Sequence, residues 1–290
     1  MKVTNKLNLP VAFVHAVSVD RHNQPGCYSA TTLNKGVKEI LLSDRHFDEI
    51  EVDAADRIFA VFGTAVHALL EHEPDNNFHE ESFKTKVLNS YITGQIDNYD
   101  LEHAVLYDWK TASIWKIKMG DFSDWHSQGM TYAWLLQQAG LPIKECVFIA
   151  FLKDHSKTKA ATEADYPQSP VYIYRFKPTE KELKEHAAWI ENKIQEIENA
   201  VNLEDDAIPP CSQEERWADG EKWAVMKNGR IKAVKLHDNQ MDAEAQAGAM
   251  GNSYYVVHRP AVSRKCSGYC PCKDFCSFYK KEVEAQNGKS

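Results

Sequence analysis

The sequence has no apolar run approaching the roughly 20 residues that a helix needs to cross a bilayer, although 43% of its 290 residues are hydrophobic. Its first ten residues lack the apolar segment of a secretory signal. It also has no internal repeat and no low-complexity tract. These absences predict a soluble, globular, cytoplasmic protein with no membrane partner.

Positive charge is also scarce, because the sequence has 34 Lys and Arg residues but 42 Asp and Glu residues, which gives a formal net charge of −8. A protein that coats nucleic acid by bulk electrostatics presents clustered Lys and Arg to the phosphates. The charge balance therefore disfavours that class, but it leaves room for a local basic channel. Candidate residues for such a channel are Lys116, Lys118, Lys153, Lys157 and Lys159.

The stretch that says most about function contains two short apolar runs, each of which ends near an acidic residue. Gly94 to Asp97 and Val105 to Lys110 flank a polar turn and predict a two-stranded hairpin. Side chains two apart on a strand share a face, so Asp108 and Lys110 should lie together. Carboxylates suit Mg²⁺ or Mn²⁺, and a lysine beside such a cation can orient or deprotonate water or neutralise a phosphate. A surface ion pair remains the alternative for this triplet.

A helix over residues 54–72 is predicted upstream of the hairpin. His67 lies beside its apolar stripe, and Gly63, one turn earlier, should permit close approach of another group. A half-buried structural histidine is the alternative. The residues expected to face inward are Ile58, Val61, Phe62, Ala65, Val66 and Leu69.

A second helix over residues 125–139 is predicted downstream of the hairpin, where Gln128 and Tyr132 are four residues apart and should share a face. Together the ordered motifs resemble the RecB-like branch of the PD-(D/E)XK nuclease superfamily, including phage-type exonucleases and the CRISPR adaptation nucleases. The resemblance is strongest over residues 29–152. The motifs that carry it are Gly63-x-x-x-His67, Gly94-x-x-Asp97, Asp108-x-Lys110 and Gln128-x-x-x-Tyr132.

The resemblance implies an α/β (α+β) fold, in which a restriction-endonuclease-like core has a mixed central sheet flanked by helices. It implies that Lys110 is catalytic and that Gln128 and Tyr132 contact DNA or support the site. The third motif carries Asp108 where many relatives have Glu. Glu80 and Glu81 fall where some relatives carry a further acid, but spacing does not choose between them. The implied ligands of a catalytic Mg²⁺ or Mn²⁺ are His67, Asp97, Asp108 and the Trp109 carbonyl.

Four of the seven cysteines lie between residues 266 and 276. In a reducing compartment such density favours thiolates that bind a metal or a cluster over disulfides. Four thiolates suit a [4Fe–4S] cluster or a structural Zn²⁺. The compact set is Cys266, Cys270, Cys272 and Cys276, but Pro271 stiffens the segment between Cys270 and Cys272.

The resemblance favours a different set, in which one distant cysteine joins three near the C-terminus. That set is Cys211, Cys266, Cys270 and Cys276. Cys27 is a weaker candidate for the distant ligand, and Cys146 is expected to be ordinary core. Such a centre would act mainly as a staple of the C-terminal lobe.

The chain is expected to divide into a nuclease core (1–203), a linker (204–210), a small cysteine-rich lobe (211–280) and a polar tail (281–290). The core should also contain a long helix over residues 179–201, which Thr179 and Glu182 would begin with a capping box. In the lobe, Asn228-Gly229 predicts a second hairpin.

These patterns lead to the hypothesis of a metal-dependent DNA nuclease. The resemblance further implies an exonuclease that acts on single-stranded or duplex DNA ends in recombination or repair. It implies a recombination or annealing protein as a partner. If a phage encodes the protein, the expected location is the host cytoplasm. The alternatives are a structure-selective endonuclease and a noncatalytic DNA-binding module stabilised by the cluster. Oligomeric state is not readable from the sequence.

Overall fold

The computed structural model describes residues 1–18, 24–71 and 76–284. The elements in chain order are β1 (Lys2–Thr4), α1 (Val11–Ala16), β2 (Cys27–Ser29), α2 (Ala30–Leu33), α3 (Val37–Arg45), β3 (Glu51–Asp53), a 3-10 turn (Ala54–Arg57), α4 (Ile58–Leu70), β4 (Phe78–Val87), β5 (Ser90–Asp100), β6 (Val105–Ala112), α5 (Ile114–Met119), α6 (Ser123–Gln138), β7 (Glu145–Leu152), α7 (Lys157–Thr162), β8 (Val171–Phe176), α8 (Glu180–Ala200), β9 (Ala218–Asp219), β10 (Lys222–Lys227), β11 (Lys235–His237), α9 (Gln240–Met250), β12 (Tyr254–Arg259), β13 (Val262–Ser263), α10 (Arg264–Gly268), a 3-10 turn (Lys273–Phe275) and a π-helical turn (Tyr279–Glu284). In the described ranges no helix combines the length and apolar content that a membrane span requires.

The chain forms two compact units. The first contains Met1–Lys35 and His46–Asn202, and the second contains Gly36–Arg45 and everything from Leu203 onward. Helix α3 thus belongs to the second unit, an assignment that no sequence pattern had suggested. The segment 204–210, expected to be a linker, is also part of the second unit. Of the expected polar tail, residues 285–290 lie outside the described residues.

A mixed six-stranded sheet forms the centre of the first unit and confirms the predicted fold class. Along its main path the strand order is β2-β5-β6-β7-β8, and β4 pairs with β5. Strands β6 and β7 are parallel, whereas β4, β5 and β6 pair antiparallel in sequence order. The predicted hairpin is therefore present as β5 and β6.

Strand β5 has different neighbours along its length. Strand β4 follows it from Ser90 to Tyr99, whereas β2 pairs only with Tyr91 to Thr93 and β6 only with Asn98 to Asp100. On the edge of β5 that β2 and β6 share, no strand in the described part of the chain pairs with residues 94–97. This interruption in the ladder lies at the second predicted motif.

Helix α6 is buried over most of its length, and α8 packs against it. The predicted capping box of α8 is confirmed, since Thr179 Oγ1 accepts from the Glu182 amide at 3.2 Å and the Glu182 carboxylate accepts from the Thr179 amide at 2.9 Å. Its apolar stripe is buried at Leu183, Ile190, Ile194 and Ile197. Because α8 packs against the buried helix α6, the side chains of α6 are held in place.

Helix α4 corrects one prediction. It contains no fully buried residue, and Phe62 and Leu69, which were expected to face inward, are 47% and 71% exposed. A helical period identifies an apolar stripe but cannot show whether another element covers it. Gly63 also differs from expectation, because a Cβ there would meet only Thr111 Oγ1, at 3.8 Å.

The second unit contains the antiparallel sheet β11-β10-β12, against which α9 packs through Ala243 and Ala247. The predicted hairpin exists, but its pairing begins only at Val225 and Lys235, so a loop replaces the two-residue turn. Ile231 is 95% exposed in that loop. Asn228-Gly229 supplies a turn, with Gly229 at φ +77°, but residues 230–233 do not return to the ladder.

Within the second unit, lysine side chains connect α3 to residues 205–208 and to α10. The buried Lys38 ammonium donates to the carbonyls of Asp205 and Ile208, both at 2.8 Å. Lys265 lies 2.6 Å from the buried Glu39 carboxylate. These lysines therefore satisfy internal acceptors rather than forming an open basic surface.

Candidate metal and catalytic site

Three side chains from three elements converge in the first unit. His67 on α4 lies with Nδ1 3.2 Å from Asp97 on β5 and 3.3 Å from Glu80 on β4. One potential ligand atom from each of the three lies within 4.8 Å of the others. Ligands of one octahedral cation at about 2.1 Å from it are about 3 to 4 Å apart, so small side-chain movements would complete such a site.

Glu80 is the member of this group that sequence reasoning left out. In the ladder it falls between the pairs His79 with Asn98 and Glu81 with Ile96, which places it at the register position of Asp97. Its backbone adopts φ +48°, a conformation that is uncommon for residues other than glycine and that clusters at functional sites. The pairing of β4 with β5, which spacing alone does not reveal, was the missing signal.

Asp97 uses its two carboxylate oxygens differently. Oδ2 accepts a 2.7 Å hydrogen bond from the Trp109 amide, and Oδ1 faces His67. The amide of Trp109 is thereby satisfied where β5 and β6 have separated. Trp109, whose carbonyl was the expected ligand, thus anchors Asp97 through its amide.

Neighbouring charges shift the pKa of His67 and that of Glu80. The hydrogen bond to Asp97 raises the pKa of His67 to about 9, against the opposing effect of burial. Burial raises the pKa of Glu80, and repulsion from Asp97 adds to the effect. At neutral pH the imidazolium therefore neutralises part of the negative charge, and a bound cation would replace that proton.

Asp108 and Lys110 form a second pair on β6. The Lys110 ammonium lies 2.5 Å from Asp108 Oδ1, as the two-residue strand period predicted. Asp108 is only 1% exposed, and burial raises its pKa while the Lys110 charge opposes that rise. The Lys110 ion pair holds Asp108 Oδ1, and among the described residues no other donor approaches this oxygen within hydrogen-bond geometry. A cation bound there would share the oxygen with the ammonium or displace the ammonium.

Helix α6 fixes this pair through Gln128 and Tyr132, which share a face as predicted. The Gln128 carboxamide accepts from Lys110 Nζ at 3.0 Å and donates to Asp108 Oδ2 at 3.2 Å. It also donates to the Tyr132 hydroxyl at 2.9 Å. Burial raises the pKa of Tyr132, which keeps the phenol neutral. Tyr132 and Gln128 therefore hold Lys110 in one orientation.

The predicted site residues thus fall into two adjoining sets. His67 and Asp97 join Glu80, whereas Asp108 contacts Lys110 and Gln128. The carboxylate and imidazole donors of the first set suit Mg²⁺ or Mn²⁺. The further role of Asp108 as a metal ligand stays a prediction.

The C-terminal cysteines lie near one another within the second unit. Cys270 Sγ is 3.5 Å from Cys272 Sγ, and the charges of Cys270 and Cys276 both act on Cys266. Cys211 is electrostatically coupled to Cys270. Each thiol of the predicted set thus interacts electrostatically with at least one other member, although Cys211 is far away in sequence.

Two observations bear on the choice of the fourth thiol. Cys272 is 1% exposed and its Sγ lies 3.8 Å from the Glu39 carbonyl, to which it donates. A Cβ at Gly36 would lie 2.4 Å from Cys211 Sγ, so glycine is required for that thiol to sit against α3. Burial raises the pKa of Cys211 and of Cys266 to about 11. A cluster or zinc would bind these cysteines as thiolates, and the choice between the two predicted sets stays a prediction.

No protein-family model and no curated protein matches the sequence. Among solved structures, the protein SSO0001 gives a TM-score of 0.41 at 12% identity over 61% of this chain and 79% of that one. An alkaline exonuclease, LHK-Exo from Laribacter hongkongensis, gives 0.40 at 12% identity over 61% and 90%. A phage-related exonuclease from Haemophilus somnus 129PT gives 0.34 at 10% identity over 60% and 96%.

Proposed function

We propose that the protein is a divalent-metal-dependent DNA nuclease that hydrolyses phosphodiester bonds at strand ends. One observation carries the proposal. His67, Glu80 and Asp97 offer ligand atoms within 4.8 Å of one another, and β5, which carries Asp97, pairs with β6, which carries the buried Asp108 and its partner Lys110. A ligand set beside a positioned ammonium is the arrangement that phosphodiester hydrolysis requires. The preference for ends follows from the motif resemblance alone.

Each residue of the site has a distinct task in this reaction. His67, Glu80 and Asp97 would hold the cation, with Asp108 as a further ligand. When bound, the cation would lower the pKa of a coordinated water and polarise the phosphate. Lys110, paired with Asp108, would neutralise charge that develops on the phosphate or orient the attacking water.

Gln128 and Tyr132 act by positioning. The Gln128 carboxamide spans Asp108 and Lys110 and cannot rotate without breaking all three of its hydrogen bonds. The ammonium therefore needs no reorganisation when negative charge develops, which is the condition for effective electrostatic stabilisation. Loss of the carboxamide should lower the rate more than the affinity for DNA.

The decisive experiment measures cleavage of end-labelled linear and closed circular DNA, single-stranded and duplex, with Mn²⁺ and with EDTA. Wild type should degrade linear DNA only with Mn²⁺, and Lys110→Gln should lose about 100-fold or more of the rate. Glu81→Gln is the matched control, because Glu81 is exposed beside Glu80. Wild type without Mn²⁺-dependent hydrolysis, or Lys110→Gln at full activity, would refute the proposal. Cutting of closed circles would make it an endonuclease.

We also propose that Cys211, Cys266, Cys270 and Cys276 hold a [4Fe–4S] cluster, with Zn²⁺ as the alternative. The neighbouring thiols and the space that Gly36 leaves for Cys211 support this assignment. Closing the long loop from Cys211 to Cys266 would stabilise the second unit by restricting the unfolded chain. Metal analysis and an absorbance spectrum of the anaerobically purified protein distinguish the two centres.

A further inference from the structure

The loop between β10 and β11, residues 228–234, lies in a segment of the second unit that is rich in positive charge. Between Lys222 and His237 the sequence contains five Lys or Arg residues and no Asp or Glu, in a chain whose formal net charge is −8. Such a concentration of one charge in an acidic protein marks a surface that meets a polyanion. The four loop cations are all exposed: Lys227, Arg230, Lys232 and Lys235.

Positive and negative charges are separated along the sheet that carries this loop. Strand β10 runs from Lys222 at one end of its ladder to Lys227 at the other, a distance of about 17 Å. Helix α9 leads from the first end to Tyr254, which pairs with Lys227, and its last six residues, 245–250, contain no acid. The acids at or near the first end are Glu221, Asp238, Asp242 and Glu244. Because the length of β10 exceeds the Debye length of about 8–10 Å, salt largely screens the charges at the first end from the loop.

Other basic residues of the second unit are already engaged by acids. Arg264 lies 2.9 Å from Asp219, and Lys265 lies 2.6 Å from Glu39. In the described part of the chain, by contrast, no carboxylate lies within ion-pair distance of the four loop cations. Their charge is therefore available to an external partner.

Backbone hydrogen bonds hold this loop in a defined shape. The Arg230 amide donates to the Lys227 carbonyl at 3.0 Å, and Gly229 supplies the positive φ of this turn. The Val234 amide donates to the Val225 carbonyl at 2.8 Å and closes the loop. The loop cations are thus held on one hairpin, so a partner need not order the chain before it binds.

The composition of the loop indicates which polyanion it fits. Residues 228–234 contain no aromatic side chain, so the loop cannot stack on unpaired bases and is suited to phosphates and sugars. Duplex DNA carries one charge per about 1.7 Å of axis, against about 3.4 Å for one strand, and therefore attracts the loop cations more strongly. Within this described loop the one large apolar side chain that is exposed is Ile231, at 95%. One such side chain offers too little area to anchor a protein in a membrane.

We propose that the β10–β11 loop binds the phosphate backbone of duplex DNA, a contact made by residues other than those of the metal site. The inference rests on the proposed function for its choice of DNA among polyanions, and it extends that function with a duplex-binding surface in the second unit. Because phosphates are the same at every base pair, the contact should not depend on DNA sequence.

Binding measured in EDTA tests this contact without cleavage. Fluorescence anisotropy over a range of NaCl concentrations compares a labelled duplex with a labelled oligo(dT) of the same length. The loop variant Arg230→Gln, Lys232→Gln, Lys235→Gln should bind the duplex at least about tenfold more weakly at about 0.1 M salt, with a salt slope reduced by about 2 to 3. The conservative variant Lys232→Arg, Lys235→Arg keeps the charges and should bind as wild type does.

Three exposed lysines at or just before the start of α8 supply the matched control. The variant Lys177→Gln, Lys181→Gln, Lys184→Gln removes the same number of charges and should bind the duplex as wild type does, because neighbouring glutamates of α8 offset those charges. An equal loss in this control would show that net charge alone matters, and unchanged duplex binding in the loop variant would show that the loop makes no contact. Either result would overturn the inference.

Two other partners are outcomes of the same test. A larger loss for oligo(dT) than for the duplex would assign the loop to single strands. Loop-dependent sedimentation with phosphatidylserine vesicles, together with unchanged duplex affinity, would assign it to an anionic membrane. Each of these results would also overturn the inference.

The outcomes for the loop and for the nuclease are separable. A wild type that binds the duplex through the loop but cleaves no DNA would support the loop contact and refute the nuclease. An active nuclease whose loop variant binds as wild type does would refute only the loop contact. If both proposals hold, the loop variant should keep the wild-type rate at saturating duplex and show a higher KM, because it loses binding and keeps the metal site.

Discussion

The two motif glycines should respond oppositely to alanine, which tests the packing beneath the site. A Cβ at Gly94 would lie 2.7 Å from Leu135 Cδ1 and 2.8 Å from Tyr132 Cε1. Ordinary contacts between such atoms begin at about 3.4 Å, and both neighbours are buried. At Gly63 the nearest atom is 3.8 Å away, which a methyl group tolerates without any shift.

The magnitudes follow from these distances. Because both contacts are shorter than 3.0 Å, overpacking at Gly94 should cost the upper part of the usual range of 1–3 kcal/mol, about 2–3 kcal/mol. The reduced freedom of the unfolded chain returns at most about 1 kcal/mol, which leaves a net loss of at least about 1–2 kcal/mol. Gly63→Ala should instead stabilise α4 by about 0.5–1 kcal/mol. At about 2–4 °C per kcal/mol, Gly94→Ala should lower Tm by about 2–8 °C and Gly63→Ala should raise it by about 1–4 °C.

Differential scanning calorimetry of both variants measures these shifts, and the nuclease assay measures their consequence. Gly94→Ala pushes the Tyr132 ring, whose hydroxyl receives a hydrogen bond from Gln128, so its activity at a temperature where it is fully folded should also fall. Gly63→Ala should keep wild-type activity. A Tm for Gly94→Ala equal to or above that of wild type, or a greater loss in Gly63→Ala, would refute the packing argument.

Three further predictions concern charge and thiols. Glu80→Gln should weaken Mn²⁺ binding in calorimetric titrations by at least about tenfold, whereas the exposed neighbour Glu81→Gln should leave it unchanged; equal effects would remove Glu80 from the ligand set. Cys276→Ser should lose bound iron or zinc, and Cys272→Ser should keep it, because Cys272 Sγ donates to the Glu39 carbonyl; metal analysis that shows loss in both variants would support the compact set of thiols. Burial lowers the pKa of His186 in the folded protein to about 4. As pH falls, this histidine is therefore protonated in the unfolded chain before it is protonated in the folded one. The free energy of unfolding should decline between pH of about 6.5 and 4, by at most about 3 kcal/mol. Urea unfolding across this range should show a smaller decline in His186→Gln, and an identical decline would contradict the assignment.

The sequence predicted those parts of the site that depend only on how side chains repeat along one strand or one helix. Asp108 and Lys110 meet because strand side chains alternate, and Gln128 and Tyr132 meet because residues four apart share a helix face. The Thr179 capping box is equally local. Such relations depend on a few residues of backbone, so no knowledge of neighbouring elements is needed to obtain them.

The parts that the sequence did not reveal depend on partners distant along the chain. Glu80 joins His67 only because β4 pairs with β5 in one register and turns through a positive φ at that residue. Phe62 and Leu69 belong to an apolar stripe, but burial of that stripe depends on whether another element packs on it.

The separation of β5 from β6 explains why the acids meet where they do. Pairing of the two strands stops at Asn98 and Tyr107, so the next amide, at Trp109, needs an acceptor, and Asp97 supplies it at 2.7 Å. One oxygen of Asp97 is therefore structural while the other faces His67. Truncation of Asp97 would disturb the sheet and the charge of the site together, whereas Glu80→Gln changes the charge and leaves this amide satisfied. Glu80 is consequently the position at which the metal hypothesis can be tested without disturbing that junction between the strands.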